Sequence, residues 1–153
     1  MSGERQQMAG LDIVRSMLER DGPFAPIGET LSFDLADVEY GKTRFIGYPN
    51  ADHLNPAGAV HGGFGAAMLD SAVAIAVLST LPPGKTFTTL ELKVNYVRGL
   101  PQDGSPVTAT GDVVHAGRST ATAEGRIVDE QGRLLAHATT TCLILDFPAP
   151  RGT

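Results

Sequence analysis

The stretch from Phe64 to Leu81 constrains this chain more than any other. It is apolar on every side, and a helix with no polar face must be enclosed by other elements over most of its surface. Its length would also suffice for a thin bilayer. Asp70 in its middle, Gly62-Gly63 before it, Pro82-Pro83-Gly84 after it and the lack of flanking aromatic residues argue instead for a buried helix in a water-soluble fold. Ala66, Ala67, Ser71 and Ala74 surround Asp70 at helical neighbour spacing. Something can therefore approach that carboxylate closely.

The rest of the chain supplies the enclosure. Leu11, Val14, Met17 and Leu18 recur at helical spacing before Asp21-Gly22-Pro23, which predicts a short amphipathic helix over about 8–20. From Leu31 the period becomes two: Leu31, Phe33 and Leu35 alternate with polar residues, and a second strand over Thr43 to Tyr48 follows the turn at Glu39-Tyr40-Gly41. Asn50 to Gly63 reads as an ordered loop leading into the helix. Beyond Pro-Pro-Gly, Thr89 to Val97 alternates, with Leu90, Leu92, Val94 and Tyr96 on one face and Glu91, Lys93 and Asn95 on the other. Strands at Pro106 to His115, Ser119 to Val128 and Leu134 to Asp146, separated by turn signals, form a meander. Helix, two strands, buried helix and four strands make an α+β pattern in which an antiparallel sheet curls around one apolar helix. With 153 residues and roughly 150 residues per typical domain, a single domain over 1–153 with a core over about 26–146 is expected.

Charge and cysteine content exclude several functions. Seventeen acidic against twelve basic side chains give a net charge of −5, without the basic footprint of a nucleic-acid binder. The single Cys142 provides no internal disulfide and no thiolate metal cluster. Met1 to Gln7 lack the apolar run of a secretory signal, so a cytoplasmic location is expected. His53, His61, His115 and His137, with Asp52 or Asp112, lack a paired-ligand spacing such as H-x-x-x-H. No metal is expected.

The chemistry concentrates in Asn55-Pro56-Ala57-Gly58-Ala59-Val60-His61-Gly62-Gly63, with Asp70 nine positions after the histidine. Each piece has a bland reading: Asn55-Pro56 can start a turn, the glycines can end a loop, and His61 can cap the helix. Together they say more. Adjacent glycines opening a helix leave backbone N–H groups unobstructed at an end that favours negative charge. A carboxylate two turns further on, costly to bury unpaired, points to a cleft or a subunit boundary.

Asn55, Gly58, His61-Gly62-Gly63 and Asp70, followed by the strand Thr88-Thr89-Leu90-Glu91-Leu92-Lys93-Val94-Asn95-Tyr96, resemble the hot-dog-fold acyl-CoA thioesterases of the phenylacetyl-CoA (PaaI-like) type. The similarity runs from about Pro26 to Leu145. It implies a long antiparallel sheet wrapped around the central helix, and a homodimer or dimer of dimers with active sites at the subunit interface. It implies that the Gly62 N–H and the Asn55 side-chain amide stabilise the oxyanion of a thioester. Asp70, from the partner subunit, would act as general base or direct nucleophile. By the same resemblance Thr88, with Thr89 adjacent, orients the attacking water, His61 fixes the glycine turn and is a second candidate for direct participation, and Gly63 and Thr89 count among the substrate-binding residues. Arg118 and Ser119 would approach the pantetheine and phosphates of CoA. No separate cofactor is implied, since CoA is part of the substrate.

Aspartate at position 70 matches the PaaI-like branch, where other hot-dog thioesterases carry glutamate. Hot-dog hydratases and dehydratases use a His with an acidic partner, for which Asp52 and His61 offer a pair. Their compact Asp-x-Asn-Pro-x-His motif is absent, because Pro56 stands five residues before His61. The rival from another class is a non-catalytic acyl-CoA sensor, since the same cleft can bind without hydrolysing.

Overall fold

The computed structural model of the chain describes residues 6–147. Two short helices, α1 (Gly10–Leu18) and α2 (Pro26–Leu31), precede a hairpin of β1 (Phe33–Glu39) and β2 (Lys42–Gly47). A single 3-10 turn at Ala51–His53 leads into α3 (Gly62–Ser79), after which come β3 (Lys85–Tyr96), β4 (Val107–Ala116), β5 (Thr120–Val128) and β6 (Leu134–Asp146). All six strands form one antiparallel sheet in the order β1-β2-β4-β5-β6-β3. The sheet curls around α3 without closing, so β1 and β3 are edges.

The central helix is enclosed as its composition requires. Eleven of its eighteen residues are buried, including Met68, Leu69, Val73 and Val77. Its backbone reaches the sheet through missing side chains: a Cβ on Gly111 of β4 would lie 2.3 Å from the Ala72 carbonyl oxygen. That same carbonyl accepts a buried hydrogen bond from Thr43 Oγ1 of β2 at 2.6 Å. One stripe of α3, comprising Gly63, Ala66, Ala67, Asp70, Ser71 and Ile75, is not fully covered. Beneath the start of the helix, Phe24, Phe33, Phe45 and Phe64 pack edge to face, Phe24 and Phe45 at 5.0 Å and Phe33 and Phe64 at 6.3 Å between ring centres.

Three sequence expectations change. Leu31 ends a helix and does not start a strand: Pro26 at the first helical position presets the turn, and Ser32, in a left-handed conformation (φ 55°), stops it. The N-terminal helix is shorter than 8–20. In β3 the alternation breaks at a bulge between Thr89 and Glu91, where Thr89 pairs with Cys142 and Glu91 with Thr141. Leu90 is the extra residue and faces solvent, apart from Leu92 and Val94, which pack on the core. Thr140 Oγ1 donates to the Glu91 carbonyl at 2.6 Å, satisfying a backbone group that the bulge displaces. The meander β4-β5-β6 is as expected.

Candidate active site

The loop before α3 is built around two side chains. His53 is buried against Phe64, with ring centres 4.8 Å apart. Its Nδ1 accepts from the Asn50 N–H at 3.1 Å, while its carbonyl accepts from the His61 N–H at 2.8 Å. Asn55 closes the tip: Oδ1 accepts from the N–H groups of Ala57 at 2.9 Å and Ala59 at 3.2 Å. Gly58, at φ +78°, supplies the left-handed residue that this turn needs. With its oxygen held by two backbone donors, the Asn55 carboxamide is oriented, and its Nδ2 amino group is left to donate elsewhere.

His61 is the N-cap of α3, its Nδ1 accepting from the Gly63 N–H at 2.8 Å. An imidazole accepting at Nδ1 carries its proton on Nε2. The Gly62 carbonyl accepts a hydrogen bond from the Tyr96 hydroxyl, whose phenol is pushed up by burial and so stays a donor. Among the described residues no acceptor takes the Gly62 N–H. A bare donor thus stands at the positive end of an eighteen-residue helix, in the same loop-to-helix segment that carries the oriented Asn55 amide.

Asp70 lies two turns further along. It is only partly buried, and Thr89 Oγ1 donates to its Oδ1 at 3.0 Å. Eight residues of helix, at about 1.5 Å each, put it roughly 12 Å from the Gly62 end. The described chain therefore carries two half-sites: backbone and amide donors at the start of α3, and a carboxylate at its middle.

Residues 57–136, just over half of the chain and spanning the glycine turn, Asp70 and β3 to β5, match the thioesterase superfamily. The chain belongs to the thioesterase superfamily. It is similar to the 1,4-dihydroxy-2-naphthoyl-CoA hydrolase of Listeria monocytogenes serotype 1/2a (strain 10403S), 29% identical over 107 residues, which are 70% of this chain and 85% of that protein. Among solved structures it resembles a mutant of the phenylacetic acid degradation protein PaaI from Thermus thermophilus, with TM-score 0.70 and 34% identity, over 78% of this chain and 98% of that one. The PaaI protein of E. coli shares the fold at TM-score 0.77 and 22% identity, covering 93% and 97% of the two chains. The protein is thus a thioester hydrolase with the PaaI-like hot-dog fold.

The remaining candidates of the thioesterase lie in three places. Gly63 lies in the first turn of α3, its N–H engaged by His61. Thr88, expected to orient the attacking water, is exposed on the face of β3 opposite Thr89, and Thr89 makes the bond to Asp70. Strand alternation alone separates the two threonines. Arg118 and Ser119 are exposed at the β4–β5 turn, where the Ser119 carbonyl accepts from Ile144 N–H at 2.9 Å. Through the pairings Thr120–Leu143 and Leu143–Thr88, this turn sits two strands from β3, about 10 Å away. Tyr96 was not singled out as a site residue by the sequence. Its sequence signal is limited to an aromatic at the end of a strand; the helix start it meets lies 34 residues earlier in the chain.

Proposed function

We propose that this thioesterase hydrolyses acyl-CoA thioesters with an aryl or medium-chain acyl group, at a site completed by a second copy of the chain. The observation that carries the reading is the free Gly62 N–H at the start of the helix, with the Asn55 amide oriented in the loop before it and the helix carboxylate Asp70 roughly 12 Å further along. One chain cannot apply both to a single carbonyl. A homodimer related by a two-fold axis, or a dimer of such dimers, would set Asp70 of the partner subunit opposite Gly62. The unpaired edge of β3 and the uncovered stripe around Asp70 support that arrangement.

In this mechanism the thioester oxygen accepts from Gly62 N–H and Asn55 Nδ2–H, which stabilise the negative charge that develops there. Asp70 takes a proton from water as the water oxygen attacks the carbonyl carbon. The C–S bond then breaks and the thiolate takes up the proton, giving a free acid and CoA-SH. In the alternative route the Asp70 carboxylate attacks and water opens the resulting acyl anhydride. Thr89 orients the carboxylate in either case. Arg118, with no ion pair among the described residues, suits a CoA phosphate, with Ser119 beside it. The naphthoyl-CoA hydrolase of Listeria supports an aryl acyl group. The cytoplasm is the proposed location.

The test is thiol release from a panel of aryl- and alkyl-CoA thioesters, for wild type and Asp70→Asn side by side. The variant keeps the shape and loses the base, so turnover falls about a hundredfold or more. Undiminished turnover would remove Asp70 from the mechanism. No release from any thioester, with tight binding of CoA esters, would make the protein an acyl-CoA sensor.

A further inference from the structure

The backbone groups around the proposed oxyanion donor are tied one by one. His61 N–H donates to the His53 carbonyl at 2.8 Å, the His61 carbonyl accepts from Phe64 N–H at 3.0 Å, and Gly63 N–H donates to His61 Nδ1 at 2.8 Å. The Gly62 carbonyl accepts from the Tyr96 hydroxyl. Only the Gly62 N–H, between these ties, is left open among the described residues. Adjacent glycines are the least restrained backbone a chain can offer, so a donor carried on them points in one direction only if its neighbours are held from outside.

Tyr96 provides such a hold from another element. It is the last residue of β3, and its ring lies across the first turn of α3. A Cβ on Gly62 would come within 3.2 Å of its Cζ and hydroxyl oxygen, and a Cβ on Gly65 within 3.3 Å of its Cε1. The two glycines form the seat of the ring. The hydroxyl and His61 Nδ1 then hold opposite ends of the same Gly62–Gly63 peptide group, one at its carbonyl and the other at its N–H.

We infer that Tyr96 is a positioning residue for thioester hydrolysis: seated on Gly62 and Gly65 and bonded to the Gly62 carbonyl, it aims the Gly62 N–H at the thioester oxygen. The inference rests on the proposed reaction at Gly62. Tyr96 acts through the backbone and leaves the chemistry to Gly62, Asn55 and Asp70. A pre-aimed donor needs no reorganisation as charge develops, so its effect falls on turnover more than on substrate binding.

Tyr96→Phe tests this, because it keeps the ring on its glycine seat and deletes only the tie. In the intact enzyme kcat falls about tenfold, short of the roughly hundredfold cost of losing an oxyanion donor itself, while KM stays within about twofold and the urea midpoint is unchanged. With 15N-labelled glycine, the Gly63 amide nitrogen shifts and its proton exchanges faster, since its peptide group has lost one anchor. Unchanged kcat in a variant of an enzyme that does release thiol overturns the inference and leaves the reaction standing. So does a loss of kcat that merely follows a lower urea midpoint, which would make Tyr96 structural only. If wild type releases no thiol, the functional reading fails on its own. The amide measurement then decides the tie, and unaltered Gly63 exchange overturns it.

Discussion

Thr89 Oγ1 donates to Asp70 Oδ1 at 3.0 Å, joining the edge strand β3 to the one charged residue of α3. The bond fixes which way the carboxylate turns and leaves Oδ2 without a donor among the described residues. Thr89→Val keeps the shape and removes the donor, and kcat should fall about tenfold, the worth of one hydrogen bond to a charged group. Thr89→Ser should restore most of it. A kcat equal to wild type in the valine variant would show that Asp70 needs no orientation.

In the proposed mechanism Asn55 has two separable duties: its oxygen closes the loop and its amino group donates to the substrate. Asn55→Asp keeps an acceptor for Ala57 and Ala59 N–H and removes the Nδ2–H donor. Thermal stability should hold near wild type while kcat drops about a hundredfold, in the range of a lost oxyanion donor. A matching rise in KM at constant kcat would reassign Asn55 to ground-state binding.

His61 caps α3 through Nδ1. His61→Ala should cost about 1 kcal/mol in urea unfolding, the usual worth of an N-cap. His61→Asn should recover the stability, since its side-chain oxygen can take the Gly63 N–H. Failure of asparagine to recover it would mean that the ring's packing matters more than its lone pair.

Cys142 is fully buried among Val73, Val77, Ala121 and Ala123. Burial pushes its thiol above the ordinary 9.0, with Asp70 and Glu91 adding to the rise and hydrogen bonding to Thr89 and Thr140 opposing it. The unfolded chain then gives up this proton first. The thiol's contribution to stability is complete below its unfolded value and is lost as pH climbs through the folded one. Between about pH 8 and about pH 10 the urea midpoint should fall more steeply for wild type than for Cys142→Ala. Parallel slopes would refute the assignment.

The buried helix, the meander and the cluster from Asn55 to Asp70 were readable because each has a local cause: a missing polar face, strict alternation between turns, and glycines before an apolar run. What escaped depended on a proline start that competed with the alternation, or on partners far away in the chain. Leu31, Phe33 and Leu35 alternate as a strand would, yet Pro26 begins a helix that carries Leu31. Leu90 looked like a core residue until the pairing with β6 added a bulge, and the face of Thr89, not that of Thr88, meets Asp70. Tyr96 acquires its place only when β3 returns across a helix start 34 residues earlier in the chain.

The position of β3 at the far edge also governs when the site can exist. Among the described residues its only neighbour in the sheet is β6, whose last residue is Asp146. A nascent chain that has released α3 and β3 has no ladder on which to lay the strand until the C-terminal hairpin emerges. Such distant pairings are the slow ones in folding. Thr89 and Tyr96 reach α3 only after β6 has been made, so ribosome-bound fragments ending before Leu134 should hold the helix without these two side chains packed against it.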